Sequence, residues 1–211
     1  MSNNYIPINI FSIPLLIIKF ENHYKYNFPE VEKKDHKPTT WVESLQTTFP
    51  SIPDNDPIVP TSVRDTLKLD LKNSIVNVFN EMNLPTNIEF INLWYNIYHD
   101  NQGQERHSHL CLTGQPNPFW SGVYYNKNSS PTTFYNDNRM IQSQRYVGYD
   151  KGALATCLAE TCSPPVEDGD ILLFPPYVEH SVQSKPEHKN DMRMTFSFNL
   201  ELKGSTSEIL Y

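Results

Sequence analysis

The sequence is short of positive charge, of glycine, of cysteine and of long apolar runs. Lysine and arginine together number 17 against 24 aspartates and glutamates, a net charge of −7. A phosphate-binding surface is therefore not advertised, and nucleic acid is a poor choice of partner. The three cysteines, Cys111, Cys157 and Cys162, cannot all pair within one chain. That count excludes a disulfide scaffold and makes a reducing cytoplasm the expected compartment. Cys157 and Cys162 have no second such pair to complete a metal site. The most apolar stretch, Ile6 to Phe20, is interrupted by Pro7, Asn9, Ser12, Pro14 and Lys19 and follows no basic leader. A membrane span needs about 20 apolar residues, and a secretory signal needs a charged start, so this stretch is expected to be a first core strand.

What is abundant points to β structure. Aromatic residues make up 12% of the 211 positions, enough ring area to offset chain entropy and oppose disorder. Seventeen prolines against seven glycines suit strands and loops better than a helical bundle. Only Thr61 to Met82 has strong helical spacing, with Leu67, Leu71, Ile75, Val78, Phe79 and Met82 on one stripe, Thr61 or Ser62 as a cap, and Leu84-Pro85 as the stop. A short helix is also expected near Thr40 to Thr48. Strand composition marks Ile88 to Tyr98, Glu105 to Leu112, Phe119 to Asn126, Thr132 to Tyr135, Ile171 to Phe174, His180 to Gln183 and Arg193 to Leu202. Many short strands after a helical start predict a β sandwich or barrel with helices on one face.

Within that frame a few positions carry chemistry. On a strand, His107 and His109 point to the same side and place two imidazoles a few ångströms apart. That spacing suits a metal ion, with a third ligand from another strand. His180 is the candidate, because it follows Gly169-Asp170, a buried strand and the rigid corner Pro175-Pro176. The bland alternative is that the histidines are polar surface residues, as expected for His23, His36, His99 and His188. Arg193 and Thr195 share a face of the last strand, and a guanidinium fork beside a hydroxyl is a good clamp for a carboxylate. The bland alternative there is a surface ion pair with Glu201.

The order of these parts resembles a known family. Trp94-Tyr95-Asn96, His107-x-His109, Trp120-Ser121-Gly122-Val123-Tyr124-Tyr125, Phe134 with Asp137 and Arg139, Gly169 to Pro175, His180-Ser181-Val182 and Arg193-x-Thr195-x-Ser197-Phe198-Asn199 are similar to the 2-oxoglutarate/Fe(II) oxygenases of bacteria and phages, relatives of the prolyl-hydroxylase branch. The resemblance spans roughly Ile88 to Asn199. It implies a mostly β chain with supporting helices around a double-stranded β-helix (a cupin-like jelly roll). Residues 88–202 would form that catalytic core of a single 1–211 domain, after a strand and supporting helices in 1–87. It implies His107 and His180 as Fe(II) ligands, with His109 standing at the place of the third. Arg193 and Thr195 would hold the far carboxylate of 2-oxoglutarate, with Tyr125 donating to it and Tyr98 lining the pocket. Dioxygen and a small-molecule or peptide substrate complete the partners, and residues 136–165 are expected to form a substrate-recognising lid.

One position departs from the resemblance. The usual triad is two histidines and a carboxylate, and here the acidic place is His109. Either three histidines bind the iron, with a stronger demand for an anionic co-substrate, or the site binds without turnover. Two other readings stand beside this one. A cupin metalloprotein would also use His-x-His, but it usually adds a nearby Glu, and 110–120 contains no acidic residue. A non-enzymatic viral jelly roll would suit the Asn-, Tyr- and Ile-rich composition of an AT-biased genome, and such an origin would make the chain phage-encoded.

Overall fold

The structure is a computed structural model that describes residues 5–10 (backbone only), 13–110, 118–136, 160–183 and 192–204. Cys111, Asp137, Arg139, Cys157, His188 and nearly all of the expected lid lie outside the described residues. So does the end of the strand expected over 105–112.

Two antiparallel sheets make up the fold. The larger has seven strands: β1 (Tyr5–Ile10), β2 (Ile13–Lys19), β3 (Gln46–Thr47), β4 (Ile88–Tyr98), β6 (Trp120–Lys127), β9 (Asp170–Phe174) and β11 (Arg193–Leu202). They lie in the order β1-β2-β9-β6-β11-β4-β3. The smaller has four, β5 (Gln104–His107), β7 (Thr133–Tyr135), β8 (Thr161–Cys162) and β10 (His180–Val182), in the order β5-β10-β7-β8. This is the expected jelly roll. The N-terminal strand is a hairpin, with β1 paired to β2 and β2 joined to β9.

Period-two alternation explains why strands buried on both faces stay in register. On β11, Met194, Phe196, Phe198 and Leu200 pack outward into the main core, while Arg193, Thr195, Ser197 and Asn199 face inward. Leu15, Ile17, Val123, Tyr125, Leu172 and Phe174 of the large sheet meet Phe134 of the small one and Val178 in a second core between the sheets. The outer core is closed by helix α1 (Thr61–Glu81), whose buried stripe is Leu67, Leu71, Ile75, Val78 and Phe79. Fully burying such side chains stabilises by about 1.5–3 kcal/mol each.

Two local expectations differ. Helix α1 begins after Pro60 with no side-chain cap; the Thr61 hydroxyl instead accepts the Asn55 N–H at 3.2 Å. At the other end Asn83 takes a left-handed φ of 56°, and the Leu84 N–H bonds back to the Phe79 carbonyl at 2.8 Å, a closure that ends the helix before Pro85. No helix forms over 40–48. That segment is a loop ending in β3, held by Lys37, whose ammonium donates to the carbonyls of Trp41, Val42 and Glu43 at 2.6–2.8 Å. The short 3₁₀ turn Glu21–Lys25 has no matching sequence expectation.

Candidate active site

The histidines meet because of strand pairing. His180 on β10 lies directly opposite His107 on β5. His109, two residues past His107, is held by its backbone N–H to the Pro176 carbonyl at 2.9 Å, so the proline corner serves this histidine as well as His180. Ring centroids are 4.3 Å apart for His107–His180, 5.0 Å for His109–His180 and 5.5 Å for His107–His109. One ring nitrogen from each lies within 4.8 Å of the others, a looser grouping than the expected 3–4 Å.

The other nitrogen of each ring is occupied. His107 Nδ1 meets the Glu105 carbonyl at 2.7 Å, and His180 Nδ1 meets the Val178 carbonyl at 3.0 Å. A carbonyl only accepts, so both rings carry hydrogen on Nδ1 and keep the Nε2 lone pair. His109 Nδ1 lies 2.8 Å from Asn199 Oδ1 and 2.9 Å from Ser121 Oγ. Burial holds all three pKa values down: His107 is lowered, His109 falls to about 4, and His180, which also faces the other two rings, falls well below its ordinary value. All three are therefore neutral at neutral pH, the form a metal requires.

Arg193, Thr195, Tyr125 and Tyr98 line one cleft with these histidines, together with Gln104, Thr132 and Ser197. Arg193 is 7% exposed, donates to the Gln102 carbonyl at 3.1 Å and lies over the Tyr98 ring at 4.9 Å. Among the described residues it meets no carboxylate, and Glu201 pairs with Lys203 instead. Burial accordingly lowers the Arg193 pKa. Tyr125 is fully buried, its hydroxyl 2.7 Å from Thr132 Oγ1, and burial raises its pKa to about 12. The Tyr98 hydroxyl donates to Gln104 Oε1 at 3.2 Å.

A second cleft shares Trp94, Gln104, His107 and His109 with the first. Trp41, Phe49, Trp94 and Leu110 line it, with Asn92 and Glu105. Trp41 stands nearly parallel to His107 at 6.5 Å, and Phe49 meets Trp94 edge-on at 5.1 Å. The Glu105 carboxylate accepts the N–H groups of Val42 and Glu43 at 3.0 and 3.2 Å and so holds the loop carrying Trp41.

Sequence reasoning missed Asn199 and Ser121 as partners of a histidine, and Trp41 and Phe49 altogether. The two-residue spacing onward from Arg193 through Thr195 and Ser197 could have found Asn199. No local signal ties Trp41 to His107. Of the histidines expected at the surface, His36 is exposed, but His23 bonds the Tyr124 hydroxyl at 2.7 Å and His99 is half-buried with no partner for Nε2 among the described residues.

A jelly roll with a neutral histidine cluster able to hold a metal ion, next to a buried cation that meets no carboxylate among the described residues, fits a metalloenzyme class that uses an anionic co-substrate. The family model described as "Putative 2OG-Fe(II) oxygenase" matches residues 92–199, and the chain belongs to that family of 2-oxoglutarate- and Fe(II)-dependent oxygenases. Its cofactors are therefore Fe(II) and 2-oxoglutarate, and dioxygen is its oxidant. Two solved structures of one protein share the fold. HygX from Streptomyces hygroscopicus with nickel, 2-oxoglutarate and hygromycin B bound is 12% identical with a TM-score of 0.52, covering 91% of this chain and 84% of its own. The same protein with nickel and 2-oxoglutarate is 13% identical with a TM-score of 0.50, covering 90% and 83%. A Pseudomonas putida prolyl-4-hydroxylase is 11% identical with a TM-score of 0.48, covering 79% and 75%. Comparison with curated proteins finds no match. No helix among the described residues is long and apolar enough to cross a membrane.

Proposed function

We propose that His107, His109 and His180 hold Fe(II) through their Nε2 atoms and that Arg193 receives the far carboxylate of 2-oxoglutarate. Thr195 on the same face, Tyr125 and Tyr98 complete that end of the cleft. The observation that carries this reading is a buried guanidinium with no carboxylate partner among the described residues, lining the same cleft as three neutral imidazoles. A buried charge without a counter-ion is costly, and a dicarboxylate anchored at one end by Arg193 would neutralise it while presenting its other end to the histidines.

When bound, the iron supplies the redox centre for the balanced reaction: 2-oxoglutarate, dioxygen and a substrate C–H yield succinate, CO2 and C–OH. The chain's own groups set the conditions. Arg193 and Thr195 bind and orient the co-substrate. The Nδ1 hydrogen bonds fix the ligand tautomers. Phe134, Phe174 and Val123 keep water from the inner side of the site. The cleft lined by Trp41, Phe49, Trp94 and Leu110 is the route by which a small molecule or peptide reaches the metal, with aromatic faces to hold it. A reducing compartment such as the cytoplasm suits the free Cys162 thiol and a metal used as Fe(II).

The test is the purified protein with Fe(II), ascorbate and labelled 2-oxoglutarate. Succinate release that disappears in Arg193→Ala is expected. Metal binding with no dependence on 2-oxoglutarate would favour a cupin-type site.

A further inference from the structure

We infer that Asn199, itself held by Ser121, is the positioning residue that turns His109 into a metal ligand. This rests on the reading of the three histidines as the Fe(II) site.

An imidazole in the place of a carboxylate creates a problem of tautomer. A carboxylate offers lone pairs on both oxygens, whereas a neutral imidazole offers one, on whichever nitrogen lacks hydrogen. For His107 and His180 the backbone decides, because the carbonyls of Glu105 and Val178 accept only. Among the described residues His109 has no backbone acceptor at Nδ1. Its neighbours are the Ser121 hydroxyl, which can donate or accept, and Asn199.

Asn199 resolves the ambiguity. Its Oδ1 lies 2.7 Å from Ser121 Oγ, which donates to it, and 2.8 Å from His109 Nδ1. With the serine hydrogen committed to Asn199, Nδ1 meets acceptors only and must carry its own hydrogen. The lone pair is then left on Nε2, toward His107 and His180. The opposite amide orientation would have Asn199 donate to Nδ1, place the hydrogen on Nε2 and remove His109 as a ligand, so the two arrangements have different observable tautomers. Asn199 lies on the inward face of β11, which also carries Arg193 and Thr195. Both it and Ser121 are buried, so water does not compete for the contact. One strand thus bears the co-substrate grip at one end and the orientation of the third ligand at the other.

The test uses the full chain and Co(II) as the probe. Asn199→Leu keeps the side-chain size but removes the acceptor; Asn199→Asp keeps the acceptor. Loss of such a partner typically weakens metal binding about 10–100-fold. That loss is expected in Asn199→Leu although the side-chain size is kept, which a packing role would not produce, and Asn199→Asp, which keeps the acceptor, should bind at least as tightly as wild type. Nitrogen NMR of the metal-free wild type should show His109 with hydrogen on Nδ1, and Asn199→Leu should change that signal while leaving His107 and His180 as they were. A His109 carrying hydrogen on Nε2 in the wild type overturns the inference, as does Asn199→Leu binding Co(II) as tightly as wild type. Wild type that binds no Co(II) overturns the functional reading and this one with it. Should Asn199→Leu fail to fold by circular dichroism, Ser121→Ala and the wild-type tautomer carry the test.

Discussion

At the scale of single residues, the chain keeps charges and polar atoms where a fold optimised for stability would not. Arg193 is the clearest case. Arg193→Met removes a desolvated cation and leaves an apolar stem of similar length, so thermal stability should stay level or rise, as when buried ions are replaced by apolar residues. Binding of 2-oxoglutarate should fall by a factor corresponding to about 2–5 kcal/mol, the usual loss on truncating one partner of a buried hydrogen-bonded charge pair. Opposite signs in a melting curve and in calorimetric 2-oxoglutarate titration would establish the role; loss of both would indicate a structural arginine. His99 makes a prediction about pH. Burial first, then the Lys33 ammonium, lower its pKa, against smaller opposing effects of Glu30 and Asp100. The folded state therefore binds fewer protons than the unfolded chain below the ordinary histidine value of about 6.5, and stability falls as pH drops through that window. In His99→Gln this component is absent. Denaturant midpoints at pH 7 and pH 5 should show a larger loss in wild type than in the variant.

At the scale of elements, β11 and β4 divide two tasks between their faces. The outward side chains pack against α1 and the N-terminal segments, and the inward ones line the cleft. The outward packing is tight at Gly122, the register partner of Phe198. A Cβ there would come within 2.3 Å of the Phe198 ring and 2.8 Å of Leu173. Gly122→Ala should therefore destabilise by about 1–3 kcal/mol, the cost of overpacking a filled core. Leu71→Ala, in the middle of the buried stripe of α1, should cost about 2–5 kcal/mol through lost burial and the cavity left behind. Both are read by equilibrium urea unfolding, and neither should move the histidine signals of the active-site cluster. Gly169, with φ of 92° and a ring carbon of His23 within 3.2 Å of where a Cβ would stand, is the one glycine in the turn before β9 that backbone strain and space both require.

At the scale of the molecule, two clefts share His107 and His109, together with Trp94 and Gln104. One ends on Arg193 and the other on the Trp41 and Phe49 rings. If the histidines hold the proposed metal, a co-substrate at the Arg193 end and a substrate at the Trp41 end would meet there. Ligands that bind only the folded state stabilise it by mass action, about 2.7 kcal/mol at a hundredfold excess over Kd. For a chain of this size that corresponds to a rise of roughly 5–10 °C. Co(II) with 2-oxoglutarate should raise the melting temperature in this range, chelator should reverse it, and Arg193→Met should retain the shift from metal but lose the increment from 2-oxoglutarate.

The sequence alone determined what depends on local spacing. The stripe from Leu67 to Phe79, the alternation along Arg193 to Asn199 and the turn at Gly169 are short-range patterns, and each became the expected element. The resemblance carried by the Trp120 to Tyr125 and Gly169 to Val182 segments likewise rests on local runs of residues, and it pointed to the right family. Tertiary structure decided what depends on distant parts meeting. It set His180 opposite His107 through the pairing of β10 with β5, and brought Asn199 and Ser121 to the far nitrogen of His109. It carried Trp41 over His107 on a loop anchored by Lys37 and Glu105, where a helix was expected. Those contacts join residues from 12 to 90 positions apart, and they form only when sheet register and core packing bring the strands together, which no local pattern of sequence contains.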